Sequence, residues 1–458
     1  MSLRTKLNSL LSAGVMMGNI SQSLPLDVEQ STKTEATERR RVLIASVVGS
    51  VFEWYDFIIY GIASALIFNT LFFPNSTPLV GTIAAFGTYA AGYAARPLGG
   101  IVFGHFGDRL GRKAMLSLTL MIMGVGTFLV GCLPTFTQIG IWAPILLIAL
   151  RFLQGLGIGG EWAGSVLMAV EHAPSNRRGL YGSLVQLGYP IGVIAATAAF
   201  SLVGMLPKED FLSWGWRLPF LISIFFTGAG LYIRNRVSES AIFQRASQEP
   251  HPEKIPLVEI LTQHRRSFLI AIGLKVSEIS WVSVLTIFGL SYVTVNLGLP
   301  RSVILNGMLC AAALELVTIP LFGLLSDIYG RKKLFIAGCV FTILFAFPLF
   351  QLLDTRDPMI IAGTIAIAVS FGQGIMFGPE AAWMSELFQT RLRYSGASLG
   401  FQLGGAISGG LTPIITALLI SWAGGLTWSV SVYLICTACI TLVAASMAPE
   451  TAGKSLKE

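Results

Sequence analysis

Nine ionisable residues interrupt stretches of this sequence that are otherwise apolar. They are Glu53, Asp56, Arg96, Arg151, Glu161, Lys275, Glu278, Glu315 and Glu380. A charge inside an apolar span is costly, so such residues usually face a polar cavity and pair with one another. Carboxyl groups that are buried, or that repel each other, hold protons more firmly than exposed ones. The set therefore predicts an interior site where protons bind and leave.

Some of these acids are spaced so that they share a helix face. Glu53 and Asp56 are three positions apart, and either could load a proton. Gln154 and Glu161 are seven positions apart, which is two helical turns, or about 10 Å along the axis. Glu161 is predicted to be a second proton site or a contact to a bound small molecule. The alternative is a hydrogen bond between helices.

A polar turn occurs twice. The pattern Gly-x3-Asp-x2-Gly-Arg-Lys spans 104–113 and recurs 219 positions later, at 323–332. The same displacement carries two further polar positions onto the second half, Gln154 onto Gln373 and Glu161 onto Glu380. A fixed displacement of this size indicates two homologous halves. Their Gln and Glu faces are predicted to oppose each other across a central cavity.

The same displacement also inverts charges. It carries Asp56 onto Lys275, so Lys275 is a candidate fixed cation for an anionic molecule, with Glu278 three residues later to orient it. A purely structural Lys275–Glu278 pair fits the spacing equally well. Arg96 lies near the end of its apolar run and is predicted to act as a gate or to extend to the interface, more than to bind a ligand.

The polar turns each carry an acid and a base. Asp108 with Arg112, and Asp327 with Arg331, are predicted to form ion pairs that hold one side of the molecule closed. Further acid and base positions could join this gating network: Glu171, Arg178, Glu386 and Arg393. The alternative is a set of solvated pairs that contribute little.

Composition excludes a soluble protein. The chain of 458 residues is 53% hydrophobic and 12% charged, against about 25% charged in soluble domains. The net charge of +7 is spread over short loops, so no nucleic-acid partner is predicted. Five cysteines in or beside apolar runs and four unclustered histidines predict neither a disulfide nor a metal site. The glycines of 155–160 lie in an apolar run, which favours close helix packing over nucleotide binding.

Twelve apolar runs reach the length of about 20 residues that crosses a membrane. They are 43–68, 80–105, 114–133, 142–170, 180–205, 216–233, 267–295, 303–326, 333–352, 360–387, 395–421 and 425–447. Of the 31 Lys and Arg residues, 24 fall in segments on the side of the N-terminus and four in loops on the other side. This asymmetry predicts that both chain ends lie in the cytoplasm.

The predicted organisation has five parts. Residues 1–41 form a flexible cytoplasmic tail with at most a short surface helix, and residues 42–233 form a bundle of six helices. Residues 234–266 form a cytoplasmic loop, residues 267–447 a second bundle of six helices, and residues 448–458 a cytoplasmic tail.

Several motifs together resemble the major facilitator superfamily: the doubled turn, the run Arg151-Phe-Leu-Gln-Gly-Leu-Gly-Ile-Gly-Gly-Glu161, and Pro449-Glu450-Thr451. Narrower motifs resemble its metabolite:proton symporter branch: Phe52-Glu53-Trp54-Tyr55-Asp56-Phe57, Arg96-Pro97-Leu98-Gly99-Gly100, Glu161-Trp162 and Trp214-Gly215-Trp216-Arg217. Shikimate permeases are similar along nearly all of 40–445. The branch carries organic acids, shikimate and zwitterionic osmolytes.

The resemblance implies an all-α membrane protein with twelve transmembrane helices in two pseudo-symmetric bundles. It also implies that Asp56 is the proton site and Arg151 its partner, paired when Asp56 is deprotonated and released when it is protonated. The alternative is a permanent salt bridge. The expected function is import of a small anionic metabolite, such as shikimate, with protons as coupling ion and without a cofactor or an enzymatic step. The expected setting is the bacterial inner membrane, with the protein acting as a monomer.

Polar and aromatic side chains are predicted to line a pocket between the bundles. They are Tyr55, Gln154, Trp162, Gln186, Tyr189, Lys275, Glu278, Trp281, Gln373, Glu380 and Gln402. Other functions stay open on the same fold: symport of a zwitterionic osmolyte, export or antiport, and a sensor that does not transport. The motifs do not distinguish protons from sodium as the coupling ion.

Overall fold

The computed structural model describes residues 26–110, 112–171, 173–235 and 256–454, and within them the chain is helical without a β-strand. The first half contains α1 to α6: Leu26–Leu66, Pro78–Leu110, Arg112–Cys132, Trp142–Glu171, Arg178–Val203 and Leu218–Asn235. The second half contains α7 to α12: Arg265–Asn296, Arg301–Tyr329, Arg331–Leu353, Pro358–Glu386, Leu392–Trp422 and Trp428–Met447. The predicted fold of twelve helices in two bundles of six is confirmed.

Hydropathy accounts for most of these helices. Ten of the described segments are long and apolar enough to cross a membrane, and α2 and α3 complete the twelve. Their ends fall close to the predicted boundaries, except at α1, which begins at Leu26. The predicted flexible tail is therefore helical over 26–41. This segment contains neither Gly nor Pro, so a helix can propagate into it from the membrane span.

The helices that carry polar candidates are irregular. In α4 the helix is interrupted at Gly160 and Glu161. Wider π-helical turns occur in α7 at Val284–Phe288 and Tyr292–Asn296, in α10 at Ala368–Gln373, and in α11 at Ala406–Gly410. Such turns are rare and often lie at functional sites because they displace the side chains beside them.

Glycines bring α2 and α4 into backbone contact. A Cβ added to Gly99 would overlap the Leu156 carbonyl, and one added to Gly155 would overlap the carbonyl of Gly92. The glycine run in α4 therefore packs closely against a neighbouring helix, as its sequence predicts. This contact fixes the separation between the polar side chains of the two helices.

The two bundles contact each other at both ends. On the side where the described chain ends lie, called the tail side below, the Tyr394 hydroxyl donates to the Gly160 carbonyl at 2.9 Å. On the opposite side Arg301 donates to the Gly204 carbonyl at 2.6 Å. Between them, the Phe377 ring of α10 packs against rings of α1 and α5. The two bundles are therefore in contact on both sides of the molecule and at its centre.

Candidate functional site

Asp56 lies inside the first bundle. Its side chain on α1 is 7% exposed. Its carboxyl faces the Thr127 hydroxyl of α3, and Arg151 and Glu161 are close enough to act on it electrostatically. Gln154 donates a 2.6 Å hydrogen bond to the same hydroxyl. The structure thus brings the predicted proton site, its predicted partner and the predicted second acid together, and Gln154 bonds to the Thr127 hydroxyl beside them.

The guanidinium of Arg151 lies among aromatic rings. Its Cζ is 4.2 Å from the centre of the Tyr60 ring, 4.8 Å from that of Phe57 and 5.6 Å from that of Tyr89. None of its nitrogens makes a hydrogen bond to a residue that the structure describes. The predicted pair with Asp56 is therefore not closed in this conformation. Ring faces favour a buried cation, but they do not satisfy its in-plane N–H donors.

A second guanidinium lies against the same Phe57 ring. The Cζ of Arg96 is 4.3 Å from the centres of both the Phe57 and Tyr93 rings, and the side chain is 3% exposed. This differs from the predicted position at the membrane interface. The reason is that α2 extends to Leu110, which places Arg96 about four turns before the helix ends.

In the second bundle, Lys275 of α7 donates to two carboxylates. Its Nζ is 2.5 Å from Glu278 Oε2 and 3.0 Å from Glu380 Oε2, and all three side chains are at most 1% exposed. The Phe401 ring centre is 4.0 Å from the same Nζ. The charge of Lys275 is thus already balanced, so in this conformation it is not the free cation that the sequence predicts for an anionic molecule.

Glu315 of α8 adds a third carboxyl to this region. It is 1% exposed, Glu278 acts on it electrostatically, and neither of its oxygens makes a hydrogen bond to a described residue. An ionised carboxylate without a partner is strongly unfavourable in an apolar interior. The second bundle therefore holds more acid than one lysine can balance, which suits binding of protons or of a cationic group.

Three buried glutamines come from both halves. Gln186, Gln373 and Gln402 are at most 1% exposed, and neither amide atom of any of them bonds to a described residue. Tyr189, one turn after Gln186, faces Gln373 across the boundary between the bundles. Buried polar atoms are usually satisfied, and a carboxamide offers both a donor and an acceptor. This arrangement can bind a molecule that carries several hydroxyl groups.

Two residues predicted to line the pocket form hydrogen bonds within their own bundles. The Tyr55 hydroxyl donates to the Pro219 carbonyl of α6 at 2.7 Å, and the Trp281 indole donates to the Ala368 carbonyl of α10 at 2.7 Å. The first bond lies within the first bundle and the second within the second bundle. Trp162, in contrast, stacks on a ring of α11 with 3.8 Å between centres, across the boundary between the bundles.

Comparison with known proteins identifies the family. The sequence matches the family described as Major Facilitator Superfamily over residues 47–413 and again over 270–457. The chain belongs to the major facilitator superfamily. It is therefore a multi-pass membrane transporter of small metabolites and not an enzyme.

Relatives of this transporter differ in what they carry. It is 43% identical to the shikimate transporter of Escherichia coli K12, over 89% of this chain and 93% of that protein. It is 39% identical to the inner membrane metabolite transport protein YhjE of the same strain, over 94% and 98%. It is 33% identical to the proline/betaine transporter of Salmonella typhimurium LT2, over 94% and 88%.

Solved structures share the fold of this transporter. The xylose transporter XylE from E. coli, in a partially occluded inward open conformation, superposes with a TM-score of 0.71 at 17% identity, covering 92% of this chain and 100% of that one. The proton:xylose symporter XylE bound to 6-bromo-6-deoxy-D-glucose gives 0.71 at 17% identity, over 92% and 98%. At this identity the likeness extends to the fold alone.

The second copy of the polar turn joins the two bundles of this transporter. Asp327 accepts from the backbone N–H groups of Gly179 and Leu180 at 2.8 and 2.9 Å, and pairs with Arg331 at 2.7 Å. Those N–H groups belong to the first turn of α5, where a negative charge is favoured. Arg331 also lies 3.4 Å from Glu386.

Other predicted gating residues extend this contact. Glu171 of α4 lies 3.2 Å from Arg393 of α11. Arg178 donates to the Lys454 carbonyl at 2.7 Å, so it contacts the C-terminal segment. The side chains of the first copy of the turn, Asp108 and Arg112, lie outside the described residues.

Replacing Asp327 with Asn should open the tail side. Asn keeps the size of the side chain but removes the charge that holds two N–H groups and Arg331. Hydrogen bonds to a charged group contribute about 1.5–3 kcal/mol, so the open population should rise about 10- to 100-fold. Spin labels at Ser175 and Lys333 would report it as longer distances. An unchanged distance distribution, equal to that of the Asp357→Asn control, would contradict this role.

Glu450 was quoted only as part of a motif, yet it caps the first turn of α9 and holds the C-terminal segment against it. Its carboxylate accepts from four backbone N–H groups, those of Arg331, Lys332, Thr451 and Ala452, at 3.1, 3.1, 2.9 and 2.9 Å. Burial raises the pKa of the Glu450 carboxyl, but these donors outweigh it, so the pKa lies below its ordinary value. Sequence analysis missed this role because backbone donors leave no pairing partner in the sequence.

The Glu450 cap should make stability depend on pH. The pKa of Glu450 is lower in the folded protein than in the unfolded chain, where it has the ordinary value of 4.5. The carboxylate therefore adds to the free energy of unfolding above that value, and this addition is lost as pH falls through the folded pKa. The difference in unfolding temperature between the wild type and Glu450→Gln should therefore shrink on going from about pH 7 to about pH 4. A constant difference, as expected for the exposed Glu209→Gln control, would contradict it.

Proposed function

We propose that this transporter imports a small hydroxylated organic acid, shikimate or a close relative, together with protons. The observation that carries the proposal is the set of three buried glutamines whose amide atoms make no bond within the described residues. Each carboxamide can donate to one hydroxyl and accept from another. The identity of 43% to a shikimate transporter supports the same substrate class.

Asp56 is proposed to carry the coupled proton. Its carboxyl lies beside Arg151 and Thr127, and Arg151 makes no hydrogen bond to a described residue. This geometry fits a step in which Asp56 holds a proton and has released its partner. Loss of the proton would then draw Arg151 to the carboxylate and couple the charge of Asp56 to the conformation of the bundles. The role of Glu53, which is 4% exposed on the same helix, stays a prediction.

Alternating access is proposed to proceed by rocking of the two bundles around the central residues. The contacts of Asp327 with α5 and of Glu171 with Arg393 would stabilise the state that is closed on the tail side. The distribution of Lys and Arg over the loops supports a cytoplasmic location for that side. We propose that the protein acts as a monomer in the inner membrane, because a single chain supplies both of the bundles that rocking requires.

A zwitterionic osmolyte is the second candidate substrate. The observation that favours it is the excess of carboxyl groups in the second bundle, near the aromatic group of Trp54, Tyr189 and Phe377. Aromatic faces attract quaternary ammonium groups. A proline/betaine transporter is also among the relatives.

Uptake into proteoliposomes tests the proposal. The purified transporter should accumulate labelled shikimate when the outside is more acidic, and should take up glycine betaine far more slowly. Accumulation of betaine in place of shikimate would favour the second candidate. Loss of substrate from preloaded vesicles when the outside is more acidic would indicate antiport. A lack of transport of either compound would contradict the proposal.

A further inference from the structure

Two buried guanidinium groups that form no ion pair with a described residue contact the same aromatic ring in the first bundle. Arg96 and Arg151 both contact the Phe57 ring, at 4.3 and 4.8 Å from its centre. Their side chains are 3% and 1% exposed. Like charges repel, and removing both from water is unfavourable. Such a pair is expected where an anion is bound.

The surrounding side chains do not satisfy these cations. Arg151 makes no hydrogen bond to any described residue, and Arg96 Nε also makes none. None of the ion pairs found among the described residues includes either arginine. The nearby rings, chiefly Phe57, Tyr60 and Tyr93, contact the guanidinium faces and leave the N–H groups in the guanidinium plane available. That geometry matches the two oxygens of a carboxylate.

Among the other charged groups of the interior, no cation is available to bind a substrate anion within the described residues. Asp56 faces Thr127, and both Arg151 and Glu161 act on it electrostatically. Lys275 and Glu278 of the second bundle act electrostatically on Tyr93. In the second bundle, Lys275 already bonds to two carboxylates. A substrate anion would therefore meet two guanidinium groups at Arg96 and Arg151 that no described carboxylate pairs with.

Tyr93 connects this site to the second bundle. Its ring packs on Arg96, and a Cβ added to Gly409 or Gly410 of α11 would contact it. Its hydroxyl bonds to no described residue. A molecule held at the arginines by a carboxylate would thus reach the boundary between the bundles, where hydroxyl groups can meet Tyr93 and Gln402.

We propose that Arg96 and Arg151 together bind the carboxylate of the transported molecule. Arg96 thereby becomes a substrate-binding residue, and Arg151 alternates between the substrate carboxylate and Asp56. The inference rests on the proposed function, since it requires that the substrate is an organic acid. In this assignment the two arginines are the groups that select acids over neutral polyols.

Binding of shikimate and of its uncharged methyl ester to purified variants tests this assignment. Wild-type protein should prefer the acid about 10- to 100-fold, the range expected for hydrogen bonds to charged groups. Arg96→Gln and Arg151→Gln should lower this preference to near unity, and Arg96→Lys should restore only part of it. The ratio of the two affinities within one variant does not depend on the fraction of protein that is folded. Arg217→Gln, which removes an arginine stacked on Trp216, is the matched control and should keep the preference.

The outcomes separate this inference from the proposed function. If wild-type protein prefers the acid and Arg96→Gln keeps the full preference, the arginine site is overturned and the proposed function stands. If wild-type protein binds acid and ester equally, or binds neither, the proposed function fails and this inference fails with it.

Discussion

Asp56→Asn is expected to abolish accumulation of substrate while leaving exchange of substrate across the membrane intact. Asn preserves the shape of the side chain and can still face Thr127, but it cannot bind or release a proton. If one proton moves with each substrate, a gradient of one pH unit sustains about tenfold accumulation, since that unit corresponds to 1.36 kcal/mol. The variant should stop at equal concentrations on both sides. Uptake against a gradient and counterflow exchange, both in proteoliposomes, measure the two properties.

The control for this variant is Glu209→Gln, which removes an exposed acid from the short helix Lys208–Ser213 between α5 and α6. It should accumulate substrate like the wild type. Glu53→Gln decides the role of the second acid on α1: normal accumulation would leave Asp56 as the proton carrier on that helix. Proton-driven accumulation by Asp56→Asn would contradict the assignment of the proton to this residue.

Lys275→Gln is expected to destabilise the transporter and to reduce uptake severely. The substitution leaves Glu278 and Glu380 facing each other without a cation, in a region where all three side chains are at most 1% exposed. Removing one partner of a buried ion pair costs about 3–5 kcal/mol. The measurement is the unfolding temperature in detergent, together with uptake at matched protein amounts.

A second variant separates charge balance from loss of packing. Combining Lys275→Gln with Glu380→Gln removes one base and one acid, so it should recover most of the lost stability. Glu380→Gln alone leaves the Lys275–Glu278 bond and should cost less than Lys275→Gln. An unfolding temperature of Lys275→Gln equal to that of the wild type would show that the cluster does not stabilise the fold.

The fold was predictable because two signals in the sequence are strong. Apolar runs of about 20 residues define membrane helices with few alternatives, and the repeat at 104–113 and 323–332 defines the halves. The helix in the tail was not predictable on these grounds, because 26–41 is polar and becomes helical as a continuation of the membrane span of α1. The displacement of 219 positions relates Asp56 to Lys275 and Glu161 to Glu380. Asp56 lies near Glu161 in the first bundle, and the equivalent residues Lys275 and Glu380 form an ion pair in the second.

The site was only partly predictable, because spacing along a helix defines a face but not the neighbour of that face. Gln154, Tyr55 and Trp281 are polar and buried, yet each bonds within its own bundle. Arg96 was placed too close to the interface because the end of α2 was placed too early. The aromatic group around the arginines had a usable signal, the spacing of Tyr89 and Tyr93 by one helical turn.

Movement of protons during substrate entry tests the central claim most directly. De-energised proteoliposomes containing this transporter and an internal pH-sensitive dye would receive shikimate from outside. Proton symport through the buried acids predicts that the interior becomes acidic as shikimate enters, and that Asp56→Asn shows no such change. Entry of shikimate into wild-type vesicles with no acidification of the interior would contradict the account.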